Sequence, residues 1–211
     1  MYLASCTRPD IAYAVGMHCR NMCHPTPELM HELSYMFTYL ARHATVGLTY
    51  DTKPSFLSGV TDASLEKGKS TSGYLVKWQG AAISWASTIQ KSTALSSTEA
   101  EIYALSEGAK DVIYFRKLLT GLGESTNSPT PCATDNKGAR DLAYNPEHHK
   151  RSKHIERRHF YVRDMVEAMH ITVPFVSTFN NQADMLTKPL PARDFFRLRA
   201  KIMNEPADAR E

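Results

Sequence analysis

Three short apolar segments followed by one long helical pattern constrain the fold of this chain more than any other feature. The segments at 56–62, 73–78 and 82–87 have the length and composition of β-strands, and turn-forming residues bound them. Only residues 79–81 separate the second segment from the third, which is the spacing of a β-hairpin. At 96–119 the apolar positions instead recur at helical spacing. This order predicts an antiparallel meander of three strands that leads into a helix.

Beyond the long helix, strands and helices alternate. Strands are predicted at 131–135 and 171–177, and Pro174 indicates that the second lies at a sheet edge because it cannot donate a ladder hydrogen bond. Helical patterns follow at three places: 136–144, about 147–169, and 182–189. A meander followed by alternating elements predicts an α/β fold (α+β mixed), with a five-stranded mixed sheet flanked by helices.

The first fifty residues have a different pattern, which is helical throughout. One helix is predicted at 7–22, with Thr7 as its cap and Pro9 in its first turn. The next begins at Thr26 and carries one apolar stripe, which we expect to pack in a core: Leu29, Leu33, Met36, Phe37 and Leu40. The chain therefore divides into a small helical segment (1–50), a main domain (51–200) and a disordered tail (201–211).

Composition indicates a globular chain whose positive charge is local rather than general. Hydrophobic residues make up 42% and charged residues 22% of the 211 residues. The net charge is only +3, but Lys and Arg are concentrated at 150–163, where they can attract phosphate groups. No apolar run approaches the roughly 20 residues that a membrane-spanning helix needs. The four cysteines lack the spacing of a disulfide framework, which favours a reduced, intracellular protein.

Four acidic positions stand at the ends of predicted elements. Asp62 and Asp135 each close a strand, Asp184 opens a helical pattern, and either Glu99 or Glu101 lies in the first turn of the long helix. Each one alone has a structural explanation, since Asp forms turns and acids favour a helix N-terminus. In a fold of one sheet and several helices, however, such positions can converge on one edge of the sheet.

The sequence resembles the ribonuclease H domain of copia-type LTR retrotransposon Pol polyproteins. The motifs that carry the resemblance are TDAS (61–64), SGYLVKWQGAAISWAS (72–87), SSTEAEIYAL (96–105), TDNKGA (134–139), SKHIERRHFYVRD (152–164) and NNQADMLTKPL (180–190). Together they cover residues from about 56 to 196. Residues 1–50 resemble the end of the reverse transcriptase region that precedes this domain in such polyproteins.

The resemblance implies a ribonuclease H-like fold and a nuclease that cuts the RNA strand of RNA–DNA hybrids with two Mg²⁺ ions, which Mn²⁺ can replace. Asp62, Asp135 and Asp184 fall on three of the family's metal-binding acids. The frame Glu-Ile-Tyr-Ala-Leu assigns Glu101 as the fourth acid. Glu99 is left as the reciprocal cap of Ser96, in the frame of a capping box. Hard divalent ions prefer such carboxylate oxygens, and a cluster of acids needs cations to relieve its repulsion.

Several residues outside the acidic positions are candidates for contact with the substrate. His154 is a candidate accessory residue near the scissile phosphate, although a helix residue that packs or caps is the stronger interpretation. Six basic residues are candidate phosphate contacts, each with a solvated surface charge as the alternative: Lys91, Lys137, Arg151, Lys153, Arg157 and Arg158. Many ribonucleases H carry a histidine in the loop before the last acid, but here residues 177–183 contain none.

The expected partners are an RNA–DNA hybrid and the preceding reverse transcriptase domain, with no membrane partner. The expected location is a cytoplasmic particle, the nucleus, or both. Two alternatives stay open at this point. One is a catalytically silent remnant that binds or tethers nucleic acid. The other is a different nuclease of the ribonuclease H superfamily, such as a DNA-cutting integrase or transposase.

Overall fold

The computed structural model describes residues 1–52, 56–65, 69–145 and 153–205, although the side chains of residues 153–157 and 159 lie outside this description. Seven helices occur in these ranges: α1 (Tyr2–Cys6), α2 (Ala12–Arg20), α3 (Pro27–Arg42), α4 (Ser97–Gly121), α5 (Lys137–Tyr144), α6 (Lys153–Glu167) and α7 (Ala192–Met203). There are five strands: β1 (Ser58–Ser64), β2 (Thr71–Trp78), β3 (Ala81–Ile89), β4 (Thr130–Thr134) and β5 (Ile171–Thr172). Short 3₁₀ helices occupy Pro9–Ile11, Thr178–Asn180 and Gln182–Leu186.

The five strands form one mixed sheet in the order β3-β2-β1-β4-β5. Strands β1, β2 and β3 are antiparallel neighbours, whereas β4 runs parallel to β1 and β5 runs parallel to β4. The predicted fold class, a five-stranded mixed sheet flanked by helices and preceded by a helical segment, is confirmed. Strand β1 lies at the centre, so its carboxyl end is where side chains from neighbouring elements can meet.

The hairpin between β2 and β3 follows directly from its two turn residues. Gln79 and Gly80 both have positive φ angles, 52° and 83°, as a tight two-residue turn of the favoured twist requires. The turn fixes the register of the meander, because side chains alternate between the two faces of each strand. Leu75 and Val76 accordingly lie in hydrophobic clusters on opposite faces of the sheet.

Each face of the sheet has its own hydrophobic core. On one face α4 packs through Leu105 and Val112, and β4 contributes Cys132. On the other face α7 packs through Leu198 and Ile202. All five side chains are essentially inaccessible to water, and burial of a Leu or Ile side chain contributes about 1.5–3 kcal/mol. Helices α4 and α7 therefore pack against opposite faces of the sheet.

The N-terminal helices pack beside the sheet, but less completely than the sequence predicts. Helix α1 is absent from the sequence-based prediction, and Thr7 follows it without capping the next helix. The apolar stripe of α3 packs only in part: Met36 and Leu40 lie against a small buried cluster of the N-terminal segment, whereas α3 has no fully buried residue and Phe37 is 60% exposed. The segment is nevertheless attached to the sheet, since the Trp85 indole donates to the Ala4 carbonyl oxygen at 2.6 Å.

A buried ionic cluster joins the N-terminal segment to the last helix. We call it the clasp, and its members are Arg8, Asp10, Tyr39, Arg199 and Glu205. Arg8 donates to both Asp10 carboxylate oxygens, and Tyr39 donates to the same carboxylate at 2.6 Å. Arg199 donates to the Tyr39 hydroxyl at 3.1 Å and to both carboxylate oxygens of Glu205. The clasp holds two positive and two negative charges, so each buried charge has a partner.

The C-terminal part corrects three sequence-based predictions. Helix α7 is not predicted, and the expected disordered tail is wrong for residues 201–205, because Ile202 and Met203 are fully buried. Asn204 ends the helix in the left-handed conformation, and residues 206–211 lie outside the described residues. The predicted helix at 182–189 is the 3₁₀ helix Gln182–Leu186. The predicted strand at 171–177 is reduced to the two residues of β5, which does lie at the sheet edge.

Candidate metal centre

Three acids from three different elements meet at the carboxyl end of the central strand. Asp62 lies on β1, Glu101 lies near the start of α4, and Asp135 follows β4. Each offers a carboxylate oxygen, and these three oxygens lie within 4.8 Å of one another. The convergence follows from the topology, because β1 and β4 are parallel neighbours in which Thr61 pairs with Thr134. No other set of three His, Cys, Asp or Glu residues comes together in this way in the described part of the chain.

The two glutamates of SSTEAEIYAL have different environments, as the sequence predicts. Glu101 is only 5% exposed, and its carboxylate accepts from the Ala63 amide at 3.2 Å and from the Thr134 hydroxyl at 3.3 Å. Glu99 lies at the start of the helix, where its amide donates to the Ser96 hydroxyl at 3.1 Å. Its carboxylate accepts from the amide of Leu95 at 2.7 Å, one residue before the capping position that the capping box implies.

Asp62 is the most enclosed of the acids. Its Oδ2 accepts from the Thr187 hydroxyl, and its Oδ1 faces the Asn181 amide nitrogen at 3.4 Å. Across the sheet its partner is Gly73, where a Cβ would lie 2.7 Å from Thr187 Cγ2 and 2.8 Å from Leu186 Cβ. Only glycine leaves room for the segment 181–187 to lie against β2 beside Asp62.

The fourth predicted acid, Asp184, lies beside Asp62 but outside the group of three. It is carried by the 3₁₀ helix Gln182–Leu186 and is buried. The Lys188 ammonium lies 3.0 Å from Asp184 Oδ1 and 3.9 Å from Asp62 Oδ2. Among the described side chains, Lys188 is the one cation paired with this cluster of four acids, which we call the acidic edge: Asp62, Glu101, Asp135 and Asp184.

The electrostatics of the acidic edge disfavour full ionisation of the protein alone. Burial, followed by the charges of Asp62 and Asp135, raises the pKa of Glu101 to about 9. Burial also raises the pKa of Asp62, against the opposing influence of Lys188. The pKa of Asp184 is raised by burial and then by the neighbouring Asp62 charge. Buried carboxylates that repel one another form a site that favours cations.

The donor set fits a hard divalent cation. Carboxylate oxygens are the ligands that Mg²⁺ prefers, and all four members of the acidic edge supply them. The protein donors to Glu101 and Asp62 engage only part of the acceptor capacity of each carboxylate, since an ionised carboxylate has about four acceptor positions. The remaining lone pairs are available to an ion.

Three of the six predicted phosphate contacts have side chains in the described part of the chain. Lys91 and Lys137 are exposed, and Lys137 begins α5 two residues after Asp135. The Arg158 guanidinium stacks on the Tyr103 ring at 3.8 Å from its centroid, and the Tyr103 hydroxyl accepts from the Lys91 amide at 3.4 Å. Tyr103 thus brings two of the predicted basic residues together next to the start of α4.

The side chains of the other predicted contacts lie outside the description. Arg151 lies outside the described residues. Lys153, His154 and Arg157 belong to α6, but their side chains lie outside the description.

Four residues around the acids are absent from the sequence-based site. Asn181, Thr187 and Lys188 contact Asp62 or Asp184, and Thr178 donates to Asp135 Oδ2 at 2.8 Å. Three of them stand in the motif NNQADMLTKPL, so the resemblance marks the segment without assigning their roles. Thr178 lies in the loop where many ribonucleases H carry a histidine.

Comparison with known proteins gives consistent relatives. No protein-family model matches the chain. The retrovirus-related Pol polyprotein from transposon TNT 1-94 of Nicotiana tabacum is 38% identical over 199 residues, covering 92% of this chain and 15% of that protein. The corresponding polyprotein from transposon RE1 of Arabidopsis thaliana is 37% identical over 207 residues, covering 95% of this chain and 14% of that protein. The chain thus spans about one seventh of the length of these relatives.

Among solved structures, LC11-RNase H1 in complex with an RNA/DNA hybrid aligns with a TM-score of 0.48 and 12% identity, over 63% of this chain and 94% of that one. Over more than nine tenths of its length the chain is homologous to retrovirus-related Pol polyproteins of plant transposons, as the resemblance predicts. None of the described helices is long and apolar enough to cross a membrane.

Proposed function

We propose that this chain is a ribonuclease H domain, a metal-dependent endonuclease that hydrolyses the RNA strand of RNA–DNA hybrids during retrotransposon reverse transcription. One observation supports the proposal above all others. Asp62, Glu101 and Asp135 come from separate elements, yet they place carboxylate oxygens within 4.8 Å of one another. A fold has no structural reason to bring three like charges together, and burial, followed by the charges of Asp62 and Asp135, raises the pKa of Glu101.

The acidic edge would hold two Mg²⁺ ions, and Mn²⁺ would be able to replace them. When bound, such ions stabilise the attacking and leaving oxygens of a phosphodiester and lower the pKa of bound water. The protein supplies carboxylates fixed by Ala63, Thr134, Asn181 and Thr187. Because these carboxylates are already oriented and partly desolvated, little rearrangement is needed when an ion arrives.

The basic residues around the edge would attract the substrate backbone. The Arg158 guanidinium stacks on Tyr103, on the first turns of the helix that carries Glu101, and the backbone amide of the exposed Lys91 donates to the same tyrosine. Lys137 is exposed at the start of α5, close in sequence to Asp135. Contacts of this kind bind phosphates without reading bases, so selectivity for a hybrid would rest on helix shape and the 2′-hydroxyl groups.

The proposal includes the context of the parent polyprotein. The domain would follow a reverse transcriptase and act inside the cell, in a cytoplasmic particle or the nucleus. Apolar side chains on α3 would pack against that neighbour, since Tyr35 is 74% and Phe37 60% exposed in this chain.

Cleavage of an end-labelled RNA–DNA hybrid in Mg²⁺ tests the proposal. We expect the wild-type chain to cut only the RNA strand, and Asp62→Asn, Glu101→Gln and Asp135→Asn to reduce cutting to background while the far-ultraviolet circular dichroism is retained. Glu99→Gln is the matched control. It alters a carboxylate in the same helical turn as Glu101, but this carboxylate accepts a hydrogen bond from the Leu95 amide.

Three other outcomes would contradict the proposal. Wild-type cutting rates in Asp62→Asn or Asp135→Asn would remove the assigned site. Equal cutting of double-stranded DNA would favour another nuclease of the same superfamily. Tight binding of the hybrid in Mg²⁺ without cleavage would favour a silent binding remnant.

A further inference from the structure

The carboxylate of Asp62 is held from both sides by one short segment. Thr187 donates its hydroxyl to Oδ2, and the Asn181 amide nitrogen faces Oδ1 at 3.4 Å. Both donors are completely buried, and both are neutral. They lie about 120 residues from Asp62 in the sequence, so this contact is made only by the folded chain.

Neither donor is free to turn away from Asp62. The Asn181 amide nitrogen also donates to the Thr61 carbonyl at 3.1 Å, and its Oδ1 accepts from the Ala183 amide at 3.1 Å. These two bonds fix the orientation of the amide group. The Thr187 hydroxyl has the Asp184 carbonyl oxygen at 3.2 Å as its other neighbour, and a carboxylate is the stronger acceptor.

The two donors bracket the fourth acid. Asp184 lies between Asn181 and Thr187 in the sequence, on the 3₁₀ helix that the two contacts attach to β1. The attachment therefore sets how far Asp184 stands from Asp62. Gly73 permits this close approach, because a Cβ there would meet Thr187 and Leu186 at under 3 Å.

We infer that Asn181 and Thr187 are positioning residues that set the divalent-cation affinity of the acidic edge. They do so by fixing the Asp62 carboxylate and its separation from Asp184. The inference rests on the proposed function. Hydrogen-bond partners of metal-binding carboxylates orient the ligands, and their loss typically weakens metal affinity by about 10- to 100-fold.

Binding of Mn²⁺ alone to the full chain, followed by electron paramagnetic resonance of the free ion, tests the inference without any nucleic acid. Thr187→Val removes the hydroxyl and keeps the shape, and we expect about 10- to 100-fold weaker binding. Thr187→Ser keeps the donor and should retain most of the affinity. Thr71→Val is the matched control, because Thr71 is equally buried on β2 and its hydroxyl accepts from Arg20 instead of contacting a member of the acidic edge.

The outcomes separate this inference from the proposed function. Wild-type Mn²⁺ affinity in Thr187→Val would overturn the inference and leave the proposed function standing. No Mn²⁺ binding by the wild-type chain would overturn both. If Thr187→Val fails to fold, Asn181→Ala tests the opposite side of the same carboxylate, and unchanged affinity in that variant would equally overturn the inference.

Discussion

The molecule contains two buried clusters of charge that are built on opposite principles. The clasp pairs Arg8 with Asp10 and Arg199 with Glu205, so its charges cancel and its groups bond directly. The acidic edge gathers four carboxylates, and within the described ranges only the ammonium of Lys188 pairs with them. Both clusters are hydrogen-bonded and mostly buried, with Asp135 the half-buried member of the acidic edge, so burial alone does not distinguish them.

The difference lies in what completes each cluster. The clasp is complete when the chain has folded, because its partners come from the N-terminal segment and α7. On the proposed function, the acidic edge would be complete only when cations from outside join it. Burial, followed by neighbouring charge, raises the pKa values of Glu101 and Asp184, and burial also raises that of Asp62. A cluster that is balanced internally serves the fold, whereas a cluster left unbalanced indicates a ligand. Four experiments test this contrast, taken from the largest expected effect to the smallest.

The largest effect is expected from breaking the clasp. Arg8→Ala leaves the Asp10 side chain, which is 0% exposed, without its cationic partner. Removal of one member of a buried pair costs about 3–5 kcal/mol, and urea unfolding would measure the loss. Arg140→Ala is the control, since the Arg140–Asp141 pair is exposed and should contribute less than about 1 kcal/mol. Similar losses of unfolding free energy in Arg8→Ala and Arg140→Ala would show that the clasp contributes no more to stability than an exposed ion pair.

The next effect is stabilisation of the acidic edge by metal. At a free Mg²⁺ concentration of 100 times the dissociation constant, the free energy of unfolding should rise by about 2.7 kcal/mol. Thermal unfolding with and without Mg²⁺ would measure the gain. Glu101→Gln should lose most of it, whereas Arg140→Ala should keep it. An equal gain in wild type and Glu101→Gln would place the ion elsewhere.

A smaller effect is expected from Glu101→Gln without metal, where the substitution should raise the free energy of unfolding. The folded-state pKa of Glu101, about 9, exceeds its ordinary value of 4.5, so the folded chain binds the proton more tightly. The contribution of Glu101 to the free energy of unfolding is therefore fully present at low pH. It is lost as the pH rises from about 4.5 to about 9.

Glu101→Gln removes this titration and should stabilise the metal-free chain at pH 8 by about 1.4 kcal/mol or more, the equivalent of at least one pKa unit. Urea unfolding of both chains between pH 5 and pH 9 would measure it. If the free energy of unfolding depended on pH in the same way in both chains, the folded-state pKa of Glu101 would not be raised.

The smallest effect is expected from Glu99→Gln. The glutamine oxygen can still accept from the Leu95 amide, so stability should change by less than about 1 kcal/mol. Cleavage of the hybrid should stay near the wild-type rate. A large loss of cleavage in this variant, with the fold intact, would transfer the metal-binding role from Glu101 to Glu99.

The contrast also explains what the sequence could predict. The strands that end near Asp62 and Asp135 are bounded by turn formers, and the hairpin turn at 79–80 has the residues its geometry needs. Local signals of this kind predict the meander and place acids at its edge. The pattern also singles out Asp184 at an element end, but the resemblance, not the pattern, separates Glu101 from Glu99.

Partners far apart in the sequence account for most of what the prediction misses. Helix α7 is rich in Arg and Lys, so its sequence resembles a solvated tail. Arg199 is nevertheless buried, because Tyr39, 160 residues away, and Glu205 satisfy it. The contacts of Asn181 and Thr187 with Asp62 likewise span about 120 residues. Local pattern carries no information about such pairs, since it describes only neighbours along the chain.

Gly73 has a consequence for how inherited copies of such a transposon are judged. A copy in which this glycine has become any other residue still encodes all four acids. Its added side chain would nevertheless collide with Thr187 and Leu186 and displace the segment that carries Asp184. On the proposed function, a census of active copies that counts only acidic residues would therefore include copies whose nuclease is already lost. The glycine opposite Asp62 is as informative about the survival of the element as the acids themselves.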